Sequence, residues 1–244
     1  VNRQAQAVVM FLVGGAVLRA GSTDLYLRYV KAGLRPLLLM TGVVLIVAAI
    51  ATVWYELRRP SATPELQPAP ADDDRHNHAH REPRISWLLV LPLFALILVA
   101  PPALGSYTAN RTGTALQPPP GFAPLPSGDP LQLSVVDYAG RAVYDHGRSL
   151  GDRQIQITGF ITVGPHGTPY LARMVLNCCA ADAQPVKVGL TGQVPPVLQP
   201  DTWFDIIGTY TDKQVKDDVN GGPIPFINVN QARPVPAPHD QYES

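Results

Sequence analysis

The chain has no net charge: 19 Lys and Arg balance 19 Asp and Glu over 244 residues. It has no basic stripe along which a phosphate backbone could lie, which excludes nucleic acid as a partner. Cysteine is nearly missing. Only Cys178 and Cys179 are present, so no disulfide framework holds a secreted scaffold together. Aromatic residues make up 7%, too few for a platform on which bases stack. Enzyme signatures are missing as well. GxSxG, a Walker loop, HExxH and a dinucleotide fingerprint do not occur. The chain reads as non-enzymatic.

The neutral balance covers two unlike parts. Residues 1–104 carry 10 basic and 7 acidic side chains and are very apolar, whereas residues 105–244 carry 9 and 12 and are polar. Pro36–Tyr55 is a run of 20 residues without a charge, closed by Trp54 and Tyr55. At about 1.5 Å per residue it matches the roughly 30 Å hydrocarbon core, and its closing rings favour the interface. Ile85–Leu104 is a second such run, holding Pro92 and ended by Pro101-Pro102. A spanning helix tolerates that proline where neighbours re-satisfy the freed carbonyl. Gln4–Leu18 is a shorter run, read here as an uncleaved first span rather than a signal peptide. Gly14-Gly15 gives it a small surface for close helix packing.

Three spans put the N-terminus and the 56–84 linker on one side of the bilayer. The first loop and the C-terminal part lie on the other. The linker side holds Arg3, Arg58, Arg59, Arg75, Arg81 and Arg84, against Arg19, Arg28, Lys31, Arg35 and Arg111. By this count of six to five the C-terminal domain is extracytoplasmic. The expected organisation is two transmembrane helices with a short loop over 1–55, a disordered linker over 56–84 and a third helix over 85–104. A Pro-rich stalk over 105–130 and a β-rich domain over 131–244 follow. The loop 19–35 reads either as a short interfacial helix or as a simple connection.

The linker contains Asp72-Asp73-Asp74-Arg75-His76-Asn77-His78-Ala79-His80. In an extended chain alternate side chains point the same way, so His76, His78 and His80 can converge on a cation such as zinc. A polar linker that happens to contain histidines is the plain alternative.

From Leu131 the sequence turns to short strand-like runs separated by turn signals. Candidate strands are Leu131–Val136, Gln154–Val163, Tyr170–Cys179, Val186–Leu190, Trp203–Tyr210 and Ile224–Val235, with helical turns somewhere in Arg141–Leu150. Gly159 marks a bulge or tight bend. A small OB-like antiparallel barrel is the expected fold, with a sandwich as the alternative.

The densest chemistry is Asn177-Cys178-Cys179-Ala180-Ala181-Asp182. Neighbours on a strand face opposite ways, so the two thiols share a side only if the strand ends there. Three readings stay open. The thiolates bind a metal, with Asp182 or a histidine such as His166 completing the set. The pair is redox-active through a strained vicinal disulfide. Or the cysteines are small buried apolar residues.

Four segments resemble the YcgQ-like bacterial membrane proteins. They are Phe11–Ala49, the runs ITGFITV (Ile157–Val163) and YLARMVLNCCAADAQPVKV (Tyr170–Val188), and DTWFDIIGTY (Asp201–Tyr210). The NCCAADA run is the most specific of them. The resemblance implies an accessory, non-catalytic subunit of an inner-membrane permease, partnered by a separate multi-span protein. The cargo that the resemblance implies is a transition metal such as zinc. His76, His78 and His80 stand where such proteins often have a His-rich linker. A redox or envelope scaffold protein using Cys178/Cys179 is the competing expectation.

Overall fold

The structure is a computed structural model. It describes residues 3–58, 91, 94, 95, 98, 99 and 102–243. The chain divides into two compact units: residues 1–23 with 35–101, and residues 24–34 with 102–244.

The first unit is built on two helices, α1 (Arg3–Ser22) and α2 (Arg35–Arg58). The expected first span, Gln4–Leu18, continues through Arg19 to Ser22, and the second extends Pro36–Tyr55 at both ends. Both helices are long and apolar enough to cross a bilayer, with only 22% and 11% of their apolar windows buried. They form an antiparallel hairpin. An Arg3–Glu56 ion pair of 3.0 Å closes one end, and at the other Arg35 Nε donates to the Gly21 carbonyl at the end of α1. The helices touch most closely at Gly14 and Gly42. A methyl group on Gly42 would stand 2.7 Å from Leu18 Cγ, and one on Gly14 would stand 2.9 Å from Ile46 Cγ1. Gly15, by contrast, faces open space.

The expected third span, Ile85–Leu104, falls mostly outside the described residues, as does the linker beyond Arg58. Leu91, Phe94, Ala95 and Leu98 are helical, and Val99 N–H donates to Ala95 O at 2.9 Å.

The second unit is a small β-barrel. Its strands are β1 (Leu131–Gln132), β2 (Ile155–Val163), β3 (Pro169–Val175), β4 (Gln184–Gly192), β5 (Trp203–Lys216), β6 (Pro223–Pro234) and β7 (Tyr242–Glu243). The order β2-β5-β6-β4-β3, with β3 pairing back to β2, closes a five-stranded ring; β1 and β7 are short additions. Four of the ring's pairings are antiparallel, but β4–β6 is parallel, which corrects the all-antiparallel expectation.

β2 closes the ring by changing partner midway. Residues 155–160 pair with β5 and residues 160–163 with β3. Gly159 sits at the change, where a methyl group would lie 2.7 Å from the Ala172 carbonyl oxygen. The glycine bend expected from the sequence is therefore a close backbone approach. Ile155, Ile157, Ile161, Leu171, Val188, Ile206 and Ile227 fill the interior.

A helix over Val135–Tyr144 touches all five barrel strands and contributes Val135, Tyr138, Ala139 and Ala142 to the core. It begins where Leu131–Val136 was expected to be strand, and earlier than the expected Arg141–Leu150 turns. Its start has a local cause. Ser134 accepts the Asp137 N–H at 3.0 Å, and the Glu243 carboxylate accepts the N–H groups of Val135 and Val136, each at 3.0 Å. Anionic acceptors at a helix N-terminus satisfy donors that the helix itself cannot.

The 105–130 segment also differs from a plain stalk. α3 (Ser106–Arg111) opens it, making the Val135–Tyr144 helix α4. Asp201 holds the Ser106 N–H and hydroxyl, Asn110 bonds Thr162 and the Val163 carbonyl, and Leu116 is buried in the barrel core.

Asp217 ties this segment to the barrel. Its carboxylate accepts from Lys187 Nζ at 2.8 Å, Thr114 N at 3.0 Å and Val219 N at 2.9 Å, with both side chains of the ion pair buried. Burial opposes ionisation, but the Lys187 contact and the backbone N–H groups win and hold the acid below the usual carboxylate range. A folded-state value below the unfolded one gives stability that is complete at neutral pH and lost as pH falls below about 4. Asp217→Asn should destabilise the domain by about 3–5 kcal/mol at pH 7, because it strands a buried ammonium. It should also flatten the acid limb of the stability curve. Pulse proteolysis of the full-length chain in mild detergent, from pH 3 to 8, checks both. The double variant Lys187→Met/Asp217→Leu should recover most of the loss.

Candidate functional site

β3 makes its last pairing with β4 at Val175, opposite Gln184. Leu176 N–H then turns to the Glu243 carbonyl, and residues 177–183 cross to β4. The strand therefore ends before the cysteines, which meets the condition for two adjacent thiols to converge. Asp182 shapes the crossing. Its carboxylate accepts the N–H of Asn177 at 3.2 Å and of Cys178 at 2.9 Å, while its own N–H donates to the Cys179 carbonyl at 3.0 Å. A short-side-chain acid that bonds nearby backbone in this way stabilises a turn without help from a ladder. Ala180–Asp182 forms one 3₁₀ turn, and the two alanines leave the sulfurs uncovered.

Cys178 is exposed and Cys179 half-buried; both are free thiols, with the sulfurs 3.6 Å apart. Ligand atoms of Cys178, Cys179 and Asp182 all lie within 4.8 Å of one another. Asn177 enters through its backbone, which caps Asp182. His76, His78 and His80 lie outside the described residues. His166 belongs to the 165–167 turn between β2 and β3.

Sequence reasoning missed the segment that clamps this turn from the other side. Residues 24–34, between α1 and α2, fold into the barrel unit as two 3₁₀ turns, Asp24–Arg28 and Ala32–Leu34, with Tyr26 and Leu27 buried. Val30 forms an antiparallel bridge with Cys179. Lys31 N–H donates to the Cys178 carbonyl at 3.1 Å, and Ala180 N–H to the Tyr29 carbonyl at 2.7 Å. The loop is thus neither an interfacial helix nor a simple connection. Tyr242 and His239 add to the clamp. The Tyr242 hydroxyl donates to the Arg28 carbonyl at 3.0 Å, and His239 pairs with Asp24 at 2.8 Å. The sequence does hold one signal for it, in the apolar Tyr26 and Leu27 of a loop otherwise rich in charge.

A larger cavity of about 560 Å³ is lined by Arg28, Ser106, Phe160, Asp201 and Trp203 among others. The Asp201 carboxylate there is engaged by the Ser106 N–H and hydroxyl.

The electrostatics of the turn set its reactivity. The hydrogen bond to the Asp182 carboxylate, and then the Cys179 neighbour, push the Cys178 thiol up to about 11. The same thiol bond, with the backbone N–H groups, holds Asp182 below the usual carboxylate range. A protonated thiol is a poor nucleophile, so Cys178 is not activated by its neighbours. What the arrangement offers is two sulfurs and one oxygen facing solvent around a common point.

Residues 131–243, which contain the whole barrel and the cysteine turn, match the family model of the DUF1980 C-terminal domain, an uncharacterised family. No curated protein and no solved structure matches the chain.

Asp182→Asn removes the carboxylate that keeps Cys178 protonated. The thiol should then fall part of the way toward its ordinary value, because the Cys179 contact remains, and present more thiolate at pH 8. Intrinsic nucleophilicity falls as the thiol grows more acidic, so the net gain in alkylation rate is about 3-fold. Iodoacetamide labelling of Cys178, followed by peptide mass spectrometry, reads this directly. An unchanged rate would show that Asp182 does not control the thiol.

Proposed function

We propose that this chain is an accessory, non-catalytic subunit of an inner-membrane permease, and that its Cys178/Cys179/Asp182 turn passes a transition-metal ion such as zinc to or from that partner. The observation that carries the reading is the close pairing of two free thiols, one exposed and one half-buried. Two thiolates about 2.3 Å from a tetrahedral zinc stand about 3.8 Å apart, and the free sulfurs already stand 3.6 Å apart. Asp182 supplies a third donor at the same point. Three protein donors at an open surface leave a fourth position for a donor from another molecule, which suits exchange rather than storage.

Other features support the same reading. The apolar runs contain no Asp, Glu, Lys or Arg that would mark an ion path, so the chain is an accessory rather than a carrier working alone. The strand order of the ring fits an OB-like barrel. The N-terminal and NCCAADA segments resemble the YcgQ-like proteins, which are associated with a separate multi-span permease.

The docked loop supports a three-crossing topology. With α1 and α2 spanning the bilayer, residues 24–34 emerge on one side, and they are folded into the barrel unit. The barrel therefore lies on that side. α2 carries the chain to the opposite face, so it must cross once more before Pro102. Ile85–Leu104 is the apolar run placed to do it. On the six-to-five count of basic residues, the barrel takes the extracytoplasmic side and the His76/His78/His80 linker the cytoplasm.

Full-length protein purified under reducing conditions should carry about one zinc per chain. The Cys178→Ser/Cys179→Ser variant should lose it, and the His76→Ala/His78→Ala/His80→Ala variant should keep it. Metal analysis with zinc titration decides. No binding in any form overturns the metal reading, and a titratable Cys178–Cys179 disulfide under mild oxidant would favour the redox alternative instead.

Sidedness is tested in the Cys178→Ser/Cys179→Ser background by a membrane-impermeant maleimide on cells with a permeabilised outer envelope. Ser127→Cys should label in intact cells, and Ala71→Cys only after lysis. Labelling of both from one side overturns the three-crossing topology.

A further inference from the structure

We propose that the cavity lined by Arg28, Asp201 and Trp203 holds the headgroup of a zwitterionic phospholipid of the ethanolamine class, with its phosphodiester on Arg28 and its ammonium on Asp201. This rests on the three-crossing topology proposed above and is independent of the metal reading. The cavity, about 560 Å³, falls within the roughly 300–1,000 Å³ of small-molecule sites. Two opposite charges line it without meeting. No ion pair joins Arg28 to Asp201, and the Arg28 guanidinium has no hydrogen bond or ion pair among the described residues. The Asp201 carboxylate accepts the Ser106 N–H at 2.6 Å and the Ser106 hydroxyl at 2.8 Å, one on each oxygen. An ionised carboxylate has about four acceptor positions, so two stay open. Both Ser106 groups are neutral, which leaves the carboxylate without a counter-ion among the described residues. Asp201 itself stands at φ 65°, the left-handed region that a non-glycine residue seldom adopts, and this turn brings its carboxylate to Gly105 and Ser106. A purely anionic ligand would meet Arg28 but be repelled by Asp201, and a purely cationic one would meet the reverse. A ligand that carries a phosphate and an ammonium satisfies both, since the guanidinium donates to phosphate oxygens and the ammonium donates to the open carboxylate positions.

The rest of the lining favours a lipid over a soluble zwitterion. Pro102, Ala103 and Leu104, the last residues of the third apolar run, line the cavity together with Phe160 and Trp203. The apolar lining is therefore continuous in sequence with a segment that leaves the hydrocarbon. It is also fixed before any ligand arrives. Phe160 and Trp203 meet edge to face with centroids 5.7 Å apart, Arg173 lies 4.9 Å from the centre of the Trp203 ring, and Ala103 and Leu104 pack against the same cluster. Leu104 N–H donates to the Tyr242 hydroxyl, which donates to the Arg28 carbonyl, each at 3.0 Å, so one tyrosine oxygen holds the charged and apolar parts of the lining together. Arg28 ends the 3₁₀ turn that begins two residues after α1. At about 2.0 Å per residue that turn is about 10 Å long, comparable with the headgroup layer between hydrocarbon and water. With α1 spanning the bilayer, Arg28 stays within reach of the headgroups. A phospholipid accounts for the charge pair and for the apolar lining at once.

The test is competition binding by native mass spectrometry on the full-length chain in mild detergent. Dioleoyl phosphatidylethanolamine and dioleoyl phosphatidylglycerol are added in equal amounts, and phosphoethanolamine without acyl chains is added separately. The chain should retain one phosphatidylethanolamine, with a preference of about 5-fold over phosphatidylglycerol, because Asp201 repels a headgroup of net negative charge. Arg28→Gln should lower that retention about 10-fold, the loss of one charge-assisted contact, whereas Arg148→Gln, at an exposed arginine outside the cavity, should leave it unchanged. Asp201→Asn keeps an acceptor for Ser106 but loses the charge, and should bring the two lipids to equal retention. Arg28 is exposed and its side chain bonds no described residue, so Arg28→Gln leaves the fold intact and stays decisive even where Asp201→Asn unfolds. Equal retention of both lipids by the unaltered chain overturns the zwitterionic headgroup. Capture of phosphoethanolamine as tight as that of the lipid overturns the membrane origin, and retention that Arg28→Gln leaves unchanged overturns the site. The maleimide experiment separates the two levels. Opposite-side labelling without phosphatidylethanolamine retention removes the lipid site alone, whereas same-side labelling removes the topology and, with it, the place of the cavity at the headgroups.

Discussion

The contact on which the rest depends is the short backbone pairing of residues 29–31 with residues 178–180. Two hydrogen bonds, Lys31 N–Cys178 O and Ala180 N–Tyr29 O, together make the Val30–Cys179 bridge and join positions about 150 residues apart in sequence. They hold the cysteine turn from one side while Asp182 holds it from the other. With its backbone engaged on both sides, the turn keeps its two sulfurs on a common face. The pairing also fixes which part of the chain shares a compartment with the barrel. A loop between two apolar helices is free to lie on its membrane surface, but this one is spent on building the domain. The geometry of the turn and the place of this loop in the barrel unit are therefore consequences of the same few hydrogen bonds.

Buried polar anchors do for the barrel what the loop does for the site. A closed five-stranded ring has few ways to attach segments that lie outside its ladders, and each such segment here ends on a charged or hydroxyl group. Asp217 receives the chain at Thr114 and is neutralised by Lys187. Glu243 starts α4 and pairs with Arg173 at 3.3 Å, whose guanidinium lies 4.9 Å from the centre of the Trp203 ring. The Tyr242 hydroxyl serves both Leu104 and Arg28. Ion pairs of this kind add little net stability over an apolar replacement. Losing one partner is costly, however, so they fix one arrangement against its alternatives.

Local pattern made part of this legible in the sequence. The uncharged runs announced α1 and α2, because an apolar helix of that length has no other cheap environment. Strand periodicity located five of the barrel strands to within a few residues, and Gly159 marked the place where β2 changes partner. The convergence of Cys178, Cys179 and Asp182 was also legible, since small residues and an acid after a strand-like run favour a turn. What stayed hidden depends on distant partners. Ser134 reads as one more polar residue until Glu243 arrives from the far end of the chain to complete the start of α4. Ser106, Asn110 and Thr114 look like stalk composition, yet each bonds the barrel. The docking of residues 29–31 uses backbone groups, which leave no side-chain signature at all. The parallel β4–β6 pair follows from ring closure and not from either strand's own pattern.

Sidedness constrains what the two metal-binding candidates can do together. In the proposed topology the linker histidines and the barrel cysteines lie on opposite faces, separated by a hydrocarbon layer with no charged residue of this chain inside it. One ion cannot be held by both sets, and it cannot pass between them along this chain. If both sets bind metal, they load and unload a path that another protein provides. The cysteine turn is then the more informative half. Its donors are arranged before any ion arrives, because Asp182 is fixed by the Asn177 and Cys178 amides and both cysteine carbonyls are already bonded. Binding there needs little ordering of the backbone, and release leaves the turn intact. Under the proposed function, an open turn braced in this way would suit repeated hand-over better than storage.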